Sequence, residues 1–446
     1  MELEKKFHII IIFIFFFSFR LFADDADELK ITIDDVQYTL HSNNTATVSK
    51  CRNVDKIIIM DTVRVNDIPF TVTEISEYAF ALCPLVEQLT LPHTLRVIYT
   101  KSFEQTKLYK KKKNWDRNGC LYINRYLIDI RQEKVKRIYH ILDSTRLIAI
   151  GALRGCNKIR KIILPLGFRI IAPENFKDCS SLQEIQIPST VISIGKNAFD
   201  GTAIYREANN WQDGILYADS CAVGANKYIP NSITIRNGTL LMADGLFANR
   251  KNLKRVSLPS SLQFISDYAF YNCSSLQSVT MSDSVKNIGN YAFLGCRKLN
   301  LTSLPSMLSC LGIASFYECK KMRINIIPQN VTRIPKACFY QCISLDSIFF
   351  PPYLQTIGEG AFYNCSQLRY VDFPSSLNAI EEGGFYACIS LEKIDLSVCK
   401  TLIIKSFSFK RCYSLCQVIL PNKIIFGKDV FAFVSDLEIT YNTENY

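Results

Sequence analysis

The chain has 446 residues, of which 48% are hydrophobic, and this apolar content excludes an intrinsically disordered protein. The formal net charge of +11 at pH 7 favours anionic partners such as acidic glycans or nucleic acid, although solubility alone also accounts for it. The length would suggest two or three globular domains if the sequence contained no repeat.

Residues 1–23 have the features of a secretory signal peptide. Lys5 and Lys6 precede the apolar run Ile9–Phe17, and Ala23 offers a small residue for cleavage. The run is short for a membrane span, so we expect no transmembrane segment after cleavage. Arg20 is untypical of such a peptide and leaves an uncleaved anchor as the alternative. We therefore predict an exported protein that is periplasmic, exposed on the cell surface or secreted.

Residues 24–72 are predicted to form an N-terminal β cap. Leu29–Ile33 and Val36–Leu40 alternate apolar and polar residues around Asp34 and Asp35, which indicates a β-hairpin with a tight turn. A solenoid needs such an atypical end unit, because its end coil exposes apolar surface and unpaired backbone.

A phrase of Phe, Cys, Leu and Pro then recurs with a period of 23 residues. A fixed period of this size is typical of a solenoid. Regular coils are predicted for 73–109, 151–202 and 246–433. The longest unbroken series consists of Phe247, Phe270, Phe293, Phe316, Phe339, Phe362 and Phe385.

Each coil predicts one strand of a parallel sheet. Apolar residues nine and eleven positions after the Phe, such as Ile185 and Ile187, point to the same side of a strand. Pro at position twelve, such as Pro188, ends the strand because it cannot donate a ladder hydrogen bond. The residues at positions eight and ten are then expected to face outward. Thr302 and Asn325 break the rule, because they place a polar residue at position nine.

Two inserts, 110–150 and 203–245, are each predicted to contain a β-hairpin followed by a degenerate coil. Asn118-Gly119 and Asp213-Gly214 favour tight hairpin turns, since both positions of such a turn can adopt positive φ. Trp115 and Trp211 are the two tryptophans of the chain, and we expect them to pack the inserts onto the solenoid. A pair of ligand-binding tryptophans is the alternative. At the other end, residues 434–446 are predicted to form a C-terminal cap or tail with a closing strand.

The repeat phrase resembles the leucine-rich repeats of the BspA type, which are also found as treponemal leucine-rich repeats. The resemblance rests on Leu276 through Cys296, including Ile288-Gly289 and Ala292-Phe293. It implies a leucine-rich-repeat solenoid that is mostly β, with short turns or 3₁₀ segments, a parallel sheet on one face, two β-hairpin inserts and β caps. It also implies an exported bacterial protein, or a relative in a mucosal parasite, that adheres to host matrix proteins or other cells. No residue-level site comes with the resemblance.

Seventeen cysteines raise the question of disulfides or a metal site. Equivalent residues in parallel coils point the same way, which suits a disulfide poorly, so we predict a ladder of small buried thiols. Cys338 and Cys342 are spaced for zinc but have no His nearby in sequence. The ladder consists of Cys83, Cys156, Cys179, Cys273, Cys296, Cys319, Cys342, Cys365, Cys388 and Cys412.

Catalysis has little support in the sequence. His41, His93 and His140 lie in no metal motif, and neither a phosphate-binding glycine loop nor a nucleophile elbow is present. A carbohydrate-acting enzyme would need a clustered carboxylate pair that the sequence does not reveal. We therefore predict no enzyme activity, no cofactor and no metal.

Two surface features are candidates for binding. Five apolar residues fall at the outward strand positions of adjacent middle coils, and we hypothesise a partner-binding patch there. Cover by the protein's own segments and a homodimer are the alternatives. The run Lys110–Lys113 could contact an acidic glycan or another anionic surface, although a solvated loop also explains it. The five apolar residues are Leu301, Ile324, Ile326, Phe349 and Tyr370, and the basic ones are Lys110, Lys111, Lys112 and Lys113.

The function predicted from the sequence is non-catalytic binding of a protein ligand at the cell surface, with host matrix or another cell as the target that the resemblance implies. An acidic glycan is a second class of partner, and nucleic acid is not expected. The alternative is a structural envelope or scaffold protein without a host ligand. The sequence leaves the oligomeric state open.

Overall fold

The computed structural model describes residues 29–41 and 44–441. The signal-peptide prediction for 1–23 and the last five residues of the predicted C-terminal cap lie outside these ranges. The chain divides into two compact units, of which unit 1 is Met1–Val191 with Asn197–Arg206 and unit 2 is Ile192–Lys196 with Glu207–Tyr446.

Unit 1 contains fifteen of the described strands and two one-turn helices. Its 3₁₀ turns are Thr100–Ser102, Lys112–Asn114 and Gln132–Lys134, and its helices are α1 (Lys107–Lys110) and α2 (Ala203–Arg206). Its strands are β1 (Leu29–Ile33), β2 (Val36–Leu40), β3 (Thr45–Cys51), β4 (Lys56–Ile58), β5 (Thr62–Val65), β6 (Ile68–Ile75), β7 (Gln88–Thr90), β8 (Val97–Ile98), β9 (Cys120–Ile123), β10 (Tyr126–Ile130), β11 (Ile138–His140), β12 (Leu147–Ile148), β13 (Lys161–Ile163), β14 (Ile170–Ile171) and β15 (Glu184–Gln186).

Unit 2 contains the remaining described strands and the 3₁₀ turn Ala208–Asn210. Its strands are β16 (Ser193–Ile194), β17 (Trp211–Gln212), β18 (Ile215–Ala218), β19 (Cys221–Ala225), β20 (Ser232–Thr234), β21 (Leu241–Met242), β22 (Arg255–Ser257), β23 (Phe264–Ile265), β24 (Ser278–Thr280), β25 (Asn287–Ile288), β26 (Cys310–Leu311), β27 (Arg333–Ile334), β28 (Ser347–Phe349), β29 (Thr356–Ile357), β30 (Tyr370–Asp372), β31 (Ala379–Ile380), β32 (Lys393–Asp395), β33 (Leu402–Ile404), β34 (Gln417–Leu420), β35 (Ile424–Phe426) and β36 (Glu438–Tyr441).

The predicted N-terminal hairpin is confirmed. Strand β1 pairs antiparallel with β2, so that Leu29 lies opposite Leu40. The turn between them uses Asp34 with φ of 50°, a left-handed conformation that Asp tolerates better than most residues. Strands β3, β5 and β6 extend this sheet, and β8 joins it in parallel with β6.

Most regular coils contribute two short strands to parallel ladders, which confirms the solenoid. We call the strand that follows the repeat Leu the front strand and the one that precedes the repeat Phe the return strand. In unit 2 the front strands form the ladders β20–β22–β24, β28–β30 and β32–β34–β36. The return strands form β23–β25–β26 and β27–β29–β31–β33–β35. The closing strand predicted near Ile439 is β36, which pairs with β34.

The repeat Phe residues form the centre of the core in unit 2. From Phe247 to Phe409, successive rings stack with centroids 5.0 to 5.7 Å apart. Such aromatic contacts contribute roughly 0.5–1.5 kcal/mol each beyond the burial of their area. The period of 23 residues therefore aligns these rings from coil to coil.

The cysteines of the repeat are buried thiols, as predicted, and all seventeen cysteines of the chain are free. From Cys273 to Cys412, each repeat Sγ donates to the carbonyl oxygen of the Phe in the preceding coil, for example Cys365 to Phe339 at 3.2 Å and Cys273 to Phe247 at 3.0 Å. Cys is small enough for this position and satisfies a carbonyl that would otherwise be buried without a donor. Burial also raises the pKa of these thiols, which reaches about 12 at Cys273.

The two inserts differ in how they turn. In the second insert, Asp213-Gly214 connects β17 and β18 as the predicted tight turn, with φ of 51° and 77°. In the first insert, Asn118-Gly119 also lies in a tight turn, closed by Gly119 N–H to Asp116 O at 3.0 Å between the antiparallel-bridged residues Trp115 and Leu121, but this turn is one residue longer. The carboxylate of Asp116 accepts hydrogen bonds from the backbone N–H groups of both Asn118 and Cys120, each at 2.8 Å. A second hairpin of this insert is β9–β10.

The expectation that all five apolar residues of the middle coils face outward is wrong for two of them. Leu301 and Ile324 are 8% and 1% exposed. The residues that follow them at position nine, Thr302 and Asn325, are exposed instead. Polar side chains at position nine would be costly to bury, so the chain turns the apolar neighbour inward. Front strands are consequently missing from these two coils, and the front ladder is interrupted between β24 and β28.

Candidate functional site

Three of the predicted patch residues are exposed together at the front-strand positions of three coils in unit 2. Ile326, Phe349 and Tyr370 are 61%, 40% and 49% exposed, and we call these three residues the front patch. Ile326 pairs with Phe349 in an isolated parallel bridge, and the rings of Phe349 and Tyr370 lie 5.7 Å apart. Three successive coils thus place an apolar side chain at adjacent points of the surface.

The front patch borders a shallow groove of about 460 Å³. The groove lies where the front ladder resumes after its interruption, and its walls come from two neighbouring coils. Backbone hydrogen bonds fix these walls, because Phe349 N–H donates to Asn325 O at 2.7 Å and Ile327 N–H donates to Phe349 O at 3.0 Å. The lining residues are Asn325, Ile326, Ile327, Gln329, Phe349, Phe350, Pro351 and Pro352.

The repeat pattern did not identify several residues around the groove. Pro352 and Gln329 line it, and Tyr353 next to Pro352 is 69% exposed. The doubled proline Pro351-Pro352 was the available signal, since the repeat has one proline or none at this point in the other coils. The repeat rule does not use this signal, because it assigns Pro only the role of ending a strand.

Charged side chains of both signs surround the front patch. Arg323 and Arg369 are exposed beside it, as are Asp346 and Asp372. An apolar centre with a polar, charged rim is the usual anatomy of a protein–protein interface. The arrangement therefore suits a protein partner better than a lipid surface, which would favour one sign of charge.

The run Lys110–Lys113 is less available to a ligand than the sequence indicated. Lys111 forms an ion pair with Glu87, and Lys113 lies 3.6 Å from the same carboxylate. Lys107, just before the run, is 2.9 Å from Glu87. Hydrogen bonds from Lys111 and Lys107 lower the pKa of Glu87 to about 2. Part of the positive charge is thus already compensated within the protein.

Trp115 packs the first insert onto unit 1, as the sequence predicted. Its Nε1 donates to the carbonyl oxygen of Tyr109 at 2.8 Å, and its ring meets the Tyr109 ring edge-on at 5.2 Å. The guanidinium of Arg131 lies 4.6 Å from the centre of the indole. The Tyr109 hydroxyl donates to half-buried Asp129, whose pKa is raised to about 6 by the loss of water around it. These contacts give Trp115 a structural role in the insert.

Residues 29–41 and 44–441 contain no group of three or more His, Cys, Asp or Glu side chains that could hold a metal ion. Within the same part of the chain, no helix combines the length and the apolarity needed to cross a membrane.

The family model described as "BspA type Leucine rich repeat region" matches residues 49–114, 134–212, 225–345 and 332–445. The chain belongs to the BspA-type leucine-rich repeat family. Proteins of this family are generally non-enzymatic, protein-binding scaffolds, typically exported or displayed on bacterial surfaces. A search of curated proteins gave no match.

Three solved structures are similar to this BspA-type chain. A leucine-rich repeat protein from Bacteroides ovatus is 22% identical with a TM-score of 0.40, and the alignment covers 92% of this chain and 94% of that one. A leucine rich cell surface protein from Faecalibacterium prausnitzii is 20% identical with a TM-score of 0.35, over 95% and 97% of the two chains. A leucine-rich repeat protein from T. pallidum is 22% identical with a TM-score of 0.36, over 47% and 89%.

Proposed function

We propose that this protein is an exported, non-catalytic adhesion protein that binds a protein ligand through the front patch. The observation that carries the proposal is the adjacent exposure of Ile326, Phe349 and Tyr370 beside a groove with a fixed backbone. A host matrix protein or a protein of another cell is the proposed target. A structural envelope protein without a host ligand is the second candidate.

Several physical features support binding at the front patch. Exposed aromatic residues that meet in one place are typical hot spots, because each can bury a large area at a small entropic cost. The front strands hold Phe349 and Tyr370 on a parallel ladder, where Ser347 pairs with Tyr370 and Phe349 with Asp372. The anchors are therefore ordered before the partner arrives, which lowers the cost of binding.

The test is binding of the mature protein to immobilised matrix proteins and to whole cells, with the variants Ile326→Asp and Phe349→Asp. Each aspartate should weaken binding by about tenfold or more, because it places a charge in a contact that must lose its water. Both side chains are exposed, so the thermal midpoint should change little.

The matched control is Ile425→Asp. Ile425 is 59% exposed, nearly the same as Ile326 at 61%, but lies on a return strand rather than a front strand. It should leave binding unchanged. If the wild-type protein binds none of these targets, the result favours the structural envelope function. If Ile425→Asp weakens binding as much as Ile326→Asp does, the front patch is not the contact.

The run Lys110–Lys113 remains a weaker proposal for contact with an anionic surface. Lys111 and Lys113 both lie beside Glu87, so the run presents less free charge than its sequence indicates.

A further inference from the structure

Most of the excess positive charge of the protein lies in one segment of unit 1. Residues 131–161 contain nine lysines and arginines against two acidic residues, so they carry +7 of the total of +11. Seven of these cations are exposed, and we call the five that lie within 134–137 and 158–160 the basic patch. The basic patch consists of Lys134, Lys136, Arg137, Lys158 and Arg160.

The fold places the basic patch on two adjacent coils. The backbone N–H of Arg160 donates to the carbonyl oxygen of Arg137 at 2.7 Å, so these two arginines are direct neighbours. The Nζ of Lys158 donates to the carbonyl oxygen of Glu133 at 3.2 Å and thereby reaches across from one coil to the other. Neighbouring strands of a ladder lie about 4.8 Å apart, so the positive charges are concentrated in a small area.

The cations of the basic patch differ from their neighbours in having no carboxylate partner. Lys161 pairs with Glu184 at 2.5 Å, and Arg154 lies 3.6 Å from Asp178. Among the described residues, no Asp or Glu oxygen lies within 4.0 Å of a basic group of the five. Like charges at this density repel one another, and a bound polyanion would remove that repulsion.

The first insert extends the positive surface. Gly119 of the insert packs against Lys134 so closely that a Cβ there would lie 3.0 Å from Lys134 Cδ. This contact brings the exposed loop residue Arg117 next to the basic patch. Arg131, stacked on Trp115, connects the same loop to the coil. The positive surface thus extends over a greater length than one small anion would occupy.

We propose that the basic patch binds a linear acidic polysaccharide. This inference rests on the proposed adhesive function, because it adds a second, carbohydrate-binding surface to the same exported protein. The surface is an open row of cations rather than an enclosed pocket, which suits a chain with repeating negative groups. The Trp115 ring beside this surface is half-buried and contacts both Arg131 and Tyr109, which leaves little of its face for a base to stack on and argues against single-stranded nucleic acid.

The test measures binding of the purified mature protein to heparin by surface plasmon resonance at several salt concentrations. The probe variant is Lys136→Gln/Arg137→Gln/Lys158→Gln/Arg160→Gln. Loss of four contacts should weaken heparin binding by roughly tenfold or more and flatten its salt dependence. The variant Lys136→Arg/Lys158→Arg should bind as wild type does, because it keeps every charge.

The matched control variant removes the same charge from unit 2. It is Lys251→Gln/Lys254→Gln/Arg255→Gln/Lys298→Gln, at exposed positions. Circular dichroism and the thermal midpoint establish that all variants are folded. A loss of heparin binding confined to the unit 1 variant supports the proposal. Equal losses in both four-site variants, or no loss in either, would overturn it.

Two further measurements separate the possible ligands and functions. Duplex DNA of matched charge should bind more weakly than heparin, and equal or tighter binding would overturn the assignment to a polysaccharide. The variant Ile326→Asp should retain full heparin binding. If the protein binds heparin but none of the protein ligands, the proposed binding of a protein ligand is wrong and the polysaccharide site is supported.

Discussion

The substitution Gly312→Ala tests how closely the coils of unit 2 approach one another. Gly312 has no positive φ, so its backbone conformation would accept any residue. A Cβ at this position would nevertheless lie 2.3 Å from the carbonyl carbon of Gly289 and 2.4 Å from the nitrogen of Asn290, both in the preceding coil. Two backbones therefore meet where a side chain has no room.

The expected cost follows from this distance. An ordinary carbon contact begins near 3.4 Å, so the two coils would have to separate locally by about 1 Å. The separation would strain the hydrogen bonds between these two coils, such as Tyr291 N–H to Ile313 O at 2.8 Å. Overpacking of this kind costs about 3 kcal/mol, and the lower entropy of the unfolded alanine chain returns up to about 1 kcal/mol. We expect a net loss of about 2 kcal/mol in the free energy of unfolding.

The matched control is Gly224→Ala in β19. Gly224 also lacks a positive φ, but its Cβ would meet Leu216 Cβ at 3.4 Å, which is ordinary contact. Its free energy of unfolding should change by less than about 1 kcal/mol. Urea unfolding followed by far-ultraviolet circular dichroism measures both variants. The reasoning fails if Gly312→Ala is as stable as Gly224→Ala.

Two other predictions concern titratable groups. Under native conditions a thiol reagent should modify Cys310 and Cys416, the two exposed cysteines, and after denaturation it should modify all seventeen. Fewer than seventeen after denaturation without reductant would mean that disulfides exist. The pKa of Asp244 is raised to about 7 by burial and by nearby Asp267. The folded chain thus holds a proton that the unfolded chain releases, so the contribution of Asp244 to stability falls as pH rises from about 4 to about 7. The variant Asp244→Asn can still hydrogen-bond Ser193 and should stabilise the protein at pH 8 but not at pH 4. Thermal unfolding at the two pH values measures this difference. An equal change in the thermal midpoint at both would contradict the prediction.

Regular spacing made the coils predictable. The Phe residues at intervals of 23 predicted stacked rings, and the Cys three positions after each Phe predicted a small buried side chain. Pro at position twelve ended the front strands as expected. The N-terminal hairpin was equally clear, because Leu29–Ile33 and Val36–Leu40 alternate around an acidic turn. In each case neighbouring residues along the chain contain the signal.

The candidate site was predicted only in part. The repeat rule placed Ile326, Phe349 and Tyr370 outward, and they are exposed. It failed for Leu301 and Ile324, because the rule assumed a regular strand where polar residues at position nine prevent one. The apolar and polar side chains of two consecutive positions exchange faces there, and the balance of burial decides which one turns inward.

The amino-acid sequence by itself determined that this chain stacks coils, since the repeat specifies which side chains enter the core and where each strand ends. Only the tertiary structure decided which charges are free. Lys111 meets Glu87, which is 24 residues away, whereas Arg137 and Arg160 become neighbours without a carboxylate. The physical reason is that stacking brings together residues one coil apart, so surface charge depends on contacts between coils, while the core depends on the pattern within each coil.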